Sequence, residues 1–128
     1  MGRVFSGVQP TADSLHLGNY LGALVGMLEL QESHDCIFAV VDYHAITVPF
    51  DPALMPGRVL SVATDYLAAG LDPERSTLMV QSDVPEHVEL AWLLGVALPV
   101  AKLEQLPTYK DKRPARARLT WACSAIRS

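Results

Sequence analysis

The chain has 128 residues, half of them apolar, and carries a formal net charge of −4. This length supports one hydrophobic core, and the acidic balance lacks the basic average of a nucleic-acid-binding domain. The charge is divided along the chain: residues 1–101 contain three basic and twelve acidic side chains, whereas residues 102–128 contain seven basic and two acidic ones.

The two cysteines indicate neither a disulfide framework nor a metal site. Cys36 and Cys123 lie far apart, form no Cys-x-x-Cys pair and have no histidine at ligand spacing. Cys36 begins an apolar run, so we expect a buried thiol there. No apolar run reaches the ~18 residues of a membrane span, and no signal-peptide pattern precedes the first strand. The sequence therefore predicts a soluble cytoplasmic protein.

The first predicted strand and helix flank a polar loop, in the stretch FSGVQPTADSLHLGNY at residues 5–20. The strand ends at Gly7, and a helix begins with His16, Gly18 and Asn19 in its first turn. The free N–H groups and positive end of a helix favour an anion, and a glycine lets a ligand approach the backbone. This arrangement predicts a polyphosphate site; the alternative is a capping histidine beside an ordinary loop glycine.

The next helix and strand have clear apolar patterns. Leucines at helical spacing predict one helix that packs along a single stripe, made of Leu17, Leu21, Leu24 and Leu28. The run CIFAVV, residues 36–41, is continuously apolar, which is typical of a central strand covered on both faces. The following DYHAIT places His44 at the carboxyl end of that strand, where ligands bind in parallel α/β sheets. A hydrogen-bonded loop histidine is the alternative.

Two more helices and a strand complete the alternation. Asp51-Pro52 is a helix-start signal, with Asp51 as the N-cap. Proline is tolerated only in the first turn of a helix, so Pro56 predicts that the regular helix begins near residue 56 instead. Gly70 is the expected C-terminal cap. A buried strand covers residues 77–81, and the next helix ends at Pro99. The expected core residues are Val59, Leu60, Ala63, Tyr66, Leu67, Met79 and Trp92, with Asp65 interpreted as a surface or packing residue.

The order strand, helix, strand, helix, strand, helix with short connections predicts a parallel sheet with right-handed crossovers. We therefore assign an α/β fold, in which the chain forms the N-terminal half of a Rossmann-like, doubly wound parallel sheet. The sheet is incomplete at this length.

Taken together, the motifs resemble those of class I aminoacyl-tRNA synthetases, in the form found in tryptophanyl-tRNA synthetases. The similarity covers residues 4–112 and rests on FSGVQP, HLGNYLGAL, VDYHAIT, QSDVP and YKDK. Tyrosyl-tRNA synthetases share a version of PTADSLHLG, but Asn19, the FSGVQP approach and the HAIT run favour the tryptophanyl form. By this resemblance, residues 1–112 are the N-terminal part of a synthetase catalytic domain.

The resemblance implies ATP-dependent activation of tryptophan to tryptophanyl-adenylate and its transfer to tRNA(Trp). The tryptophan carboxylate attacks the α-phosphate of Mg²⁺-bound ATP, and pyrophosphate leaves. The protein aligns the reactants and neutralises charge on the phosphate oxygens. The family is homodimeric at full length, so a homodimer is implied as well.

The resemblance also assigns roles to individual residues. The catalytic contacts to phosphate are expected from His16, Asn19 and Lys112, with Lys110 as a weaker candidate. The ATP-binding residues are Gln9, Pro10, Thr11, Gly18 and Asn19. The tryptophan-binding residues are Phe5, Gly7, Val41 and His44. Without the resemblance, residues 110–112 would be interpreted as a solvated charged loop.

The resemblance stops before the end of the chain. Residues 113–128 form an unassigned basic tail where the family has a Gly-Leu-Phe-x-Tyr-Pro run. Codons for residues 121–127, read one base onward, can encode that run, so we interpret the tail as frameshifted. The second half of the nucleotide fold, the lysine-rich KMSKS-type loop and the anticodon domain do not appear in the sequence. We therefore expect a truncated synthetase with half of an active site.

Three alternatives remain open on the sequence. The chain could be a fragment of a tyrosyl-tRNA synthetase, a small nucleotidyltransferase that uses a His-x-Gly-x helix start, or a non-catalytic nucleotide-binding module. Small nucleotidyltransferases resemble the first stretch but lack VDYHAIT. A binding module would bind ATP without forming an adenylate.

Overall fold

The computed structural model describes residues 2–99, 102 and 105. The chain divides into two units, Met1–Asp83 and Val84–Ser128. The first unit contains, in chain order, β1 (Arg3–Val8), α1 (Leu17–Asn19), a π-helical turn (Tyr20–Leu24), α2 (Val25–Leu30), β2 (Asp35–Val40), α3 (Asp42–Ala45), α4 (Met55–Ala68), β3 (Ser76–Val80) and a 3₁₀ turn (Gln81–Asp83). The described part of the second unit contains α5 (Glu86–Ala97).

The three strands form a parallel sheet in the order β1-β2-β3. The register pairs Val8 with Val40 and Val40 with Val80, so all three strands end at one edge. The predicted α/β fold is confirmed, and β2 is the central strand that its continuous apolar run indicated. This common edge is where the side chains that follow each strand meet.

One face of the sheet packs against the helices of the first unit. The buried cluster consists of Val8, Leu24, Met27, Cys36, Phe38, Val40, Val62, Tyr66 and Leu71. Cys36 is a free, buried cysteine, as predicted. Burial raises the pKa of its thiol, and the neighbouring Asp35 carboxylate adds to the rise. The thiol is therefore protonated and unreactive at neutral pH.

Tyr66 joins α4 to the central strand. Its ring stacks on Phe38 with 6.4 Å between ring centroids, and its hydroxyl donates a hydrogen bond to the carbonyl oxygen of Ala39 at 3.4 Å. The side chain is only 1% exposed. Because the ring is buried and its polar end has an acceptor, Tyr66 orients α4 as well as packing it.

The predicted leucine stripe is only half correct. Leu24 is buried, but Leu17 is 70% exposed and Leu21 is 63% exposed. The cause is the π-helical turn, in which the N–H of Val25 donates to the carbonyl of Tyr20. The extra residue in that turn rotates the following side chains by about 100° around the helix axis. Met27 thereby joins the core instead.

Helix α4 begins later than Asp51. The Asp51 carboxylate instead accepts the N–H of Ala53 at 2.9 Å in a preceding turn, and Pro56 lies in the first turn of the helix, as the second option predicted. The expected stripe is partly wrong, because Leu60 and Leu67 are exposed. The residues of α4 and its cap that belong to the core or pack against it are Val59, Val62, Ala63, Tyr66 and Ala69.

Gly70 ends α4, as predicted. Its φ of 111° lies in the region that L side chains rarely adopt. The N–H of Gly70 bonds to the carbonyl of Leu67, and the N–H of Leu71 bonds to that of Tyr66, each at 3.1 Å. This is the Schellman pattern, and burial of both Leu71 and Tyr66 supplies its hydrophobic contact.

Helix α5 ends where Pro99 predicts, with Leu98 already in extended conformation. Trp92 on this helix is 62% exposed, so the prediction that it is a core residue is wrong. Apolar residues lie on all sides of α5, and no stripe singles out the indole. Met79 on β3 is half-buried. Within residues 2–99, 102 and 105, none of the helices has the length and hydropathy needed to cross a membrane.

We expect Gly70→Ala to lower the free energy of unfolding by about 1–2 kcal/mol, because alanine is strained at this positive φ. Gly57→Ala is the matched control, since Gly57 is helical and a methyl group there meets no atom within 4 Å. The control should stabilise the protein by about 0.5 kcal/mol. Urea unfolding of both variants measures the difference; equal midpoints would contradict the prediction.

Tyr66 predicts a loss of stability in alkali. Burial raises its pKa from 10.0 to about 12, with a hydrogen bond from the Val8 backbone acting in the opposite direction. Between these pH values the unfolded chain has released the Tyr66 proton and the folded chain has kept it, so unfolding becomes more favourable as pH rises. The effect reaches at most ~1.4 kcal/mol per pH unit. Urea unfolding from pH 8 to 12 should show the Tyr66 part of this slope above pH 10, and Tyr66→Phe should remove that part; parallel curves above pH 10 would contradict this assignment.

Candidate functional site

The candidate site is built at the carboxyl edge of the sheet. Residues that directly follow the three strands are Gln9, Val41 and Gln81, and the in-register ends of the strands bring these positions to one line. The N–H of Val41 also bonds to the carbonyl of Val8 at 3.0 Å, which extends the pairing past the strands. Ligands of open parallel sheets bind outside this edge.

Gln9, Pro10 and Thr11 lead away from β1. Pro10 is fully buried, Gln9 is half-buried and Thr11 is exposed. The N–H of Thr11 bonds back to the carbonyl of Gln9 at 2.9 Å, so the chain turns sharply as it leaves the sheet. Burial of Pro10 fixes this turn, and it leaves the Thr11 side chain facing solvent.

His16 begins the helix that follows this loop. It is the N-cap residue, and its Nδ1 accepts the backbone N–H of Asn19 at 3.3 Å, while its carbonyl accepts the same N–H at 2.9 Å. A ring nitrogen that accepts carries no proton, so the neutral ring is protonated at Nε2. The exposed imidazole therefore offers an N–H donor to an anion at the helix start.

Gly18 leaves room for the His16 ring. A methyl group on Gly18 would lie 3.0 Å from both Cε1 and Nδ1 of that ring. A side chain at position 18 would therefore crowd the imidazole, which would have to shift by a few tenths of an ångström. Asn19, one residue further on, is half-buried. The structure thus brings His16, Gly18 and Asn19 together at one helix start.

Phe5, Gly7 and Val41 share a surface on the sheet. Phe5 and Gly7 are two residues apart on β1, so they lie on the same face of the sheet. Both are exposed, Phe5 to 58%. A methyl group on Gly7 would come within 2.8 Å of Val41 Cγ1 and of the Ala39 carbonyl oxygen. Only glycine allows this approach, which leaves a shallow apolar surface beside the exposed ring of Phe5.

His44 lies on α3, a helix that the sequence did not predict. Its Nδ1 donates to the side-chain oxygen of Gln81 at 3.0 Å, so the neutral ring has its acceptor at Nε2. The preceding Asp42 accepts the N–H groups of Tyr43 and Ser82, each at 3.1 Å. These bonds join the end of β2 to the end of β3 and hold His44 in place.

Asp42 and Gln81 are residues that the sequence analysis missed as parts of the site. The signal was present, because each is polar and directly follows or closely follows a buried strand. A second missed group lies on α4: Asp65, which we interpreted as a surface or packing residue, accepts the backbone N–H of Leu15 at 2.9 Å. That interpretation is compatible with the structure, and the bond adds a specific partner, since the carboxylate holds the loop before His16.

Lys110 and Lys112 lie outside the described residues, as does the whole of the tail from residue 113, so their roles stay predictions. Within the part of the chain that the structure describes, no group of three His, Cys, Asp or Glu side chains could hold a metal ion. The donors at the His16 helix start are N–H groups, which suit phosphate oxygens.

Comparison with known proteins shows which family the chain belongs to. The sequence model of the tRNA synthetases class I (W and Y) matches residues 2–121. The chain therefore belongs to the class I tRNA synthetases of the tryptophan and tyrosine group.

Two similar proteins from that group are tryptophan enzymes. Tryptophan–tRNA ligase 2 of Streptomyces avermitilis is 54% identical over 110 residues, which cover 86% of this chain and 33% of the relative. The tryptophanyl-tRNA synthetase of Campylobacter jejuni, solved with ADP and tryptophan, is 35% identical with a TM-score of 0.85, over 96% of this chain and 38% of that one. The chain spans about a third of the length of the curated relatives it matches.

The tyrosine side is more distant. The tyrosyl-tRNA synthetase of Archaeoglobus fulgidus, solved with L-tyrosine, has a TM-score of 0.74 but only 16% identity, over 97% of this chain and 39% of that one. This likeness shows the shared fold and no more.

We expect Gly7→Ala to lower the free energy of unfolding by about 1–3 kcal/mol, because its methyl group collides with the backbone of β2. Gly26→Ala is the control, since Gly26 lies on α2 with open space around it. The control should raise stability by about 0.5–1 kcal/mol. Urea unfolding compares the two, and a Gly7→Ala protein as stable as the control would contradict the close packing.

Proposed function

We propose that the chain forms the N-terminal part of the active site of a tryptophan–tRNA ligase. This enzyme activates tryptophan with ATP to tryptophanyl-adenylate and transfers it to tRNA(Trp). The observation that carries the proposal is the helix start at His16, which places an outward imidazole N–H and a glycine after the first strand of a class I synthetase fold. We further propose the cytoplasm as its compartment and a homodimer as the state of the complete enzyme.

ATP binding falls to the loop and helix start. Gln9 and Thr11 line the nucleotide pocket, and Gly18 lets the adenine approach the backbone. Pro10, which the sequence placed among the ATP-binding residues, is buried and supports the turn between Gln9 and Thr11 instead. Nε2 of His16 and the side chain of Asn19 donate to phosphate oxygens. Preorganised donors of this kind stabilise charge that develops on the phosphate as pyrophosphate leaves. Lys112, by resemblance to the family, adds a positive charge.

Mg²⁺ enters with the nucleotide in this proposal. The N–H groups at the helix start suit phosphate oxygens, and the described residues include no cluster of three metal-binding side chains. The phosphate oxygens of ATP would supply ligands for the cation, and the bound cation would neutralise charge on them. The chain orients the phosphates.

Tryptophan binds at the apolar surface of Phe5, Gly7 and Val41. The glycine keeps this surface open, and an exposed aromatic ring beside an aliphatic side chain suits an indole. His44 lies at the same edge with its orientation set by Gln81. The tryptophan–tRNA ligase relative, which is 54% identical over 110 residues, supports tryptophan as the amino acid.

We expect the purified chain to bind ATP and His16→Ala to weaken that binding about tenfold, which corresponds to one charge-assisted hydrogen bond. His34→Ala is the control, since His34 precedes the amino end of β2, opposite the candidate site. Equilibrium dialysis with Mg²⁺ and ATP measures both affinities. Equal losses in the two variants would contradict the assignment of His16.

ATP–pyrophosphate exchange tests the substrate. The chain is assayed with tryptophan, with tyrosine and with neither. We expect ATP binding without exchange, because the chain covers a third of its relatives. Exchange that depends on tryptophan would support the substrate and show that this part suffices for activation; exchange that depends on tyrosine would overturn the proposal.

A further inference from the structure

Three side chains of α4 hold the loop that precedes His16. The side chain of Arg58 lies 3.0 Å from the Asp13 carboxylate, and the hydroxyl of Ser61 donates to the Asp13 carbonyl at 2.7 Å. The carboxylate of Asp65 accepts the N–H of Leu15 at 2.9 Å. Spacings of three and four residues place these side chains on one face of the helix. The loop is therefore attached to α4 along two turns.

The three contacts differ in strength. The Asp13 side chain is 85% exposed, so water screens its pairing with Arg58. The Ser61 bond joins two neutral groups. The Asp65 bond joins a carboxylate to a backbone N–H at a half-buried position, and hydrogen bonds of this kind are the stronger ones. Asp65 therefore dominates the attachment.

The position of Leu15 makes this contact important for the site. Leu15 directly precedes the N-cap His16, and its side chain packs against the core. Its backbone is thus held by Asp65 and its side chain by the hydrophobic cluster. Neighbouring Val62 and Tyr66 are both 1% exposed, so the helix that carries Asp65 is itself anchored. The core therefore fixes the orientation of His16 through Leu15 and Asp65.

We propose that Asp65 is a positioning residue for the phosphate-binding helix start, and that it acts by holding the N–H of Leu15. The proposal rests on the proposed function of His16 and adds a residue outside the family motifs quoted above. In this proposal Asp65 acts through Leu15 and not by contact with the nucleotide. It determines where the His16 imidazole lies when ATP arrives.

Two variants separate this role from a general loss of stability. Asp65→Ala removes the acceptor, whereas Asp65→Asn keeps a side-chain oxygen that can accept the Leu15 N–H. Glu29→Ala is the control, because Glu29 is an exposed helical carboxylate with no side-chain hydrogen bond among the described residues. All three proteins and the unaltered chain are compared at equal temperature and pH.

The first measurement is amide hydrogen exchange at Leu15 by NMR, with urea unfolding as the measure of global stability. We expect Asp65→Ala to speed exchange at Leu15 about tenfold beyond the change predicted from global stability, and Asp65→Asn to restore most of the protection. An exchange rate equal to that of the Glu29→Ala control would overturn the proposal.

The second measurement is ATP affinity by equilibrium dialysis, with His16→Ala as reference. We expect Asp65→Ala to raise the dissociation constant about fivefold and Asp65→Asn to stay within twofold of the unaltered chain. Loss of affinity in His16→Ala but not in Asp65→Ala would overturn this proposal alone. Unchanged affinity in both variants would overturn the proposed function, and this proposal with it.

Discussion

The contact between Tyr66 and the central strand supports most of the first unit. The ring of Tyr66 stacks on Phe38, and its hydroxyl bonds to the backbone of Ala39. Helix α4 is thereby held in one orientation on the sheet. Gly70 ends that helix at a turn in which the N–H of the buried Leu71 bonds to the carbonyl of Tyr66. Tyr66 therefore also fixes where the chain departs toward β3. A helix held in this way can position other parts of the molecule.

Two parts of the candidate site are held in place by hydrogen bonds to other elements of the fold. The His16 helix start is held from one side by Asp65 of α4, while His44 is held by Gln81 at the end of β3. Asp42 bonds the backbone at the ends of two adjacent strands. Alignment of reactants needs groups that stay in place before the substrate binds, so these half-buried and exposed bonds support the proposed site.

Much of the fold could be predicted from the sequence, because its signals are local. Continuous apolar residues identified β2, Pro99 marked the end of α5, and Gly70 marked the end of α4. The face of each helix was harder to predict. A π-helical turn put Leu17 and Leu21 on a different side of the helix from the buried residues that follow, and a periodicity of 3.6 residues contains no sign of it. Trp92 was placed in the core by its residue type, and its exposure shows the limit of that argument.

By itself, the sequence determined the order of the strands and the longer helices, the parallel α/β fold and the motifs of the class I synthetase family, since these depend on neighbouring residues. The tertiary structure alone decided which side chains support the site. Asp65 and Leu15 are 50 residues apart, and His44 and Gln81 are 37 apart. Hydrogen bonds over such separations depend on how helices and strands pack, and the residue types at either end have many other partners available in an unfolded chain. Only the folded structure brings these pairs together.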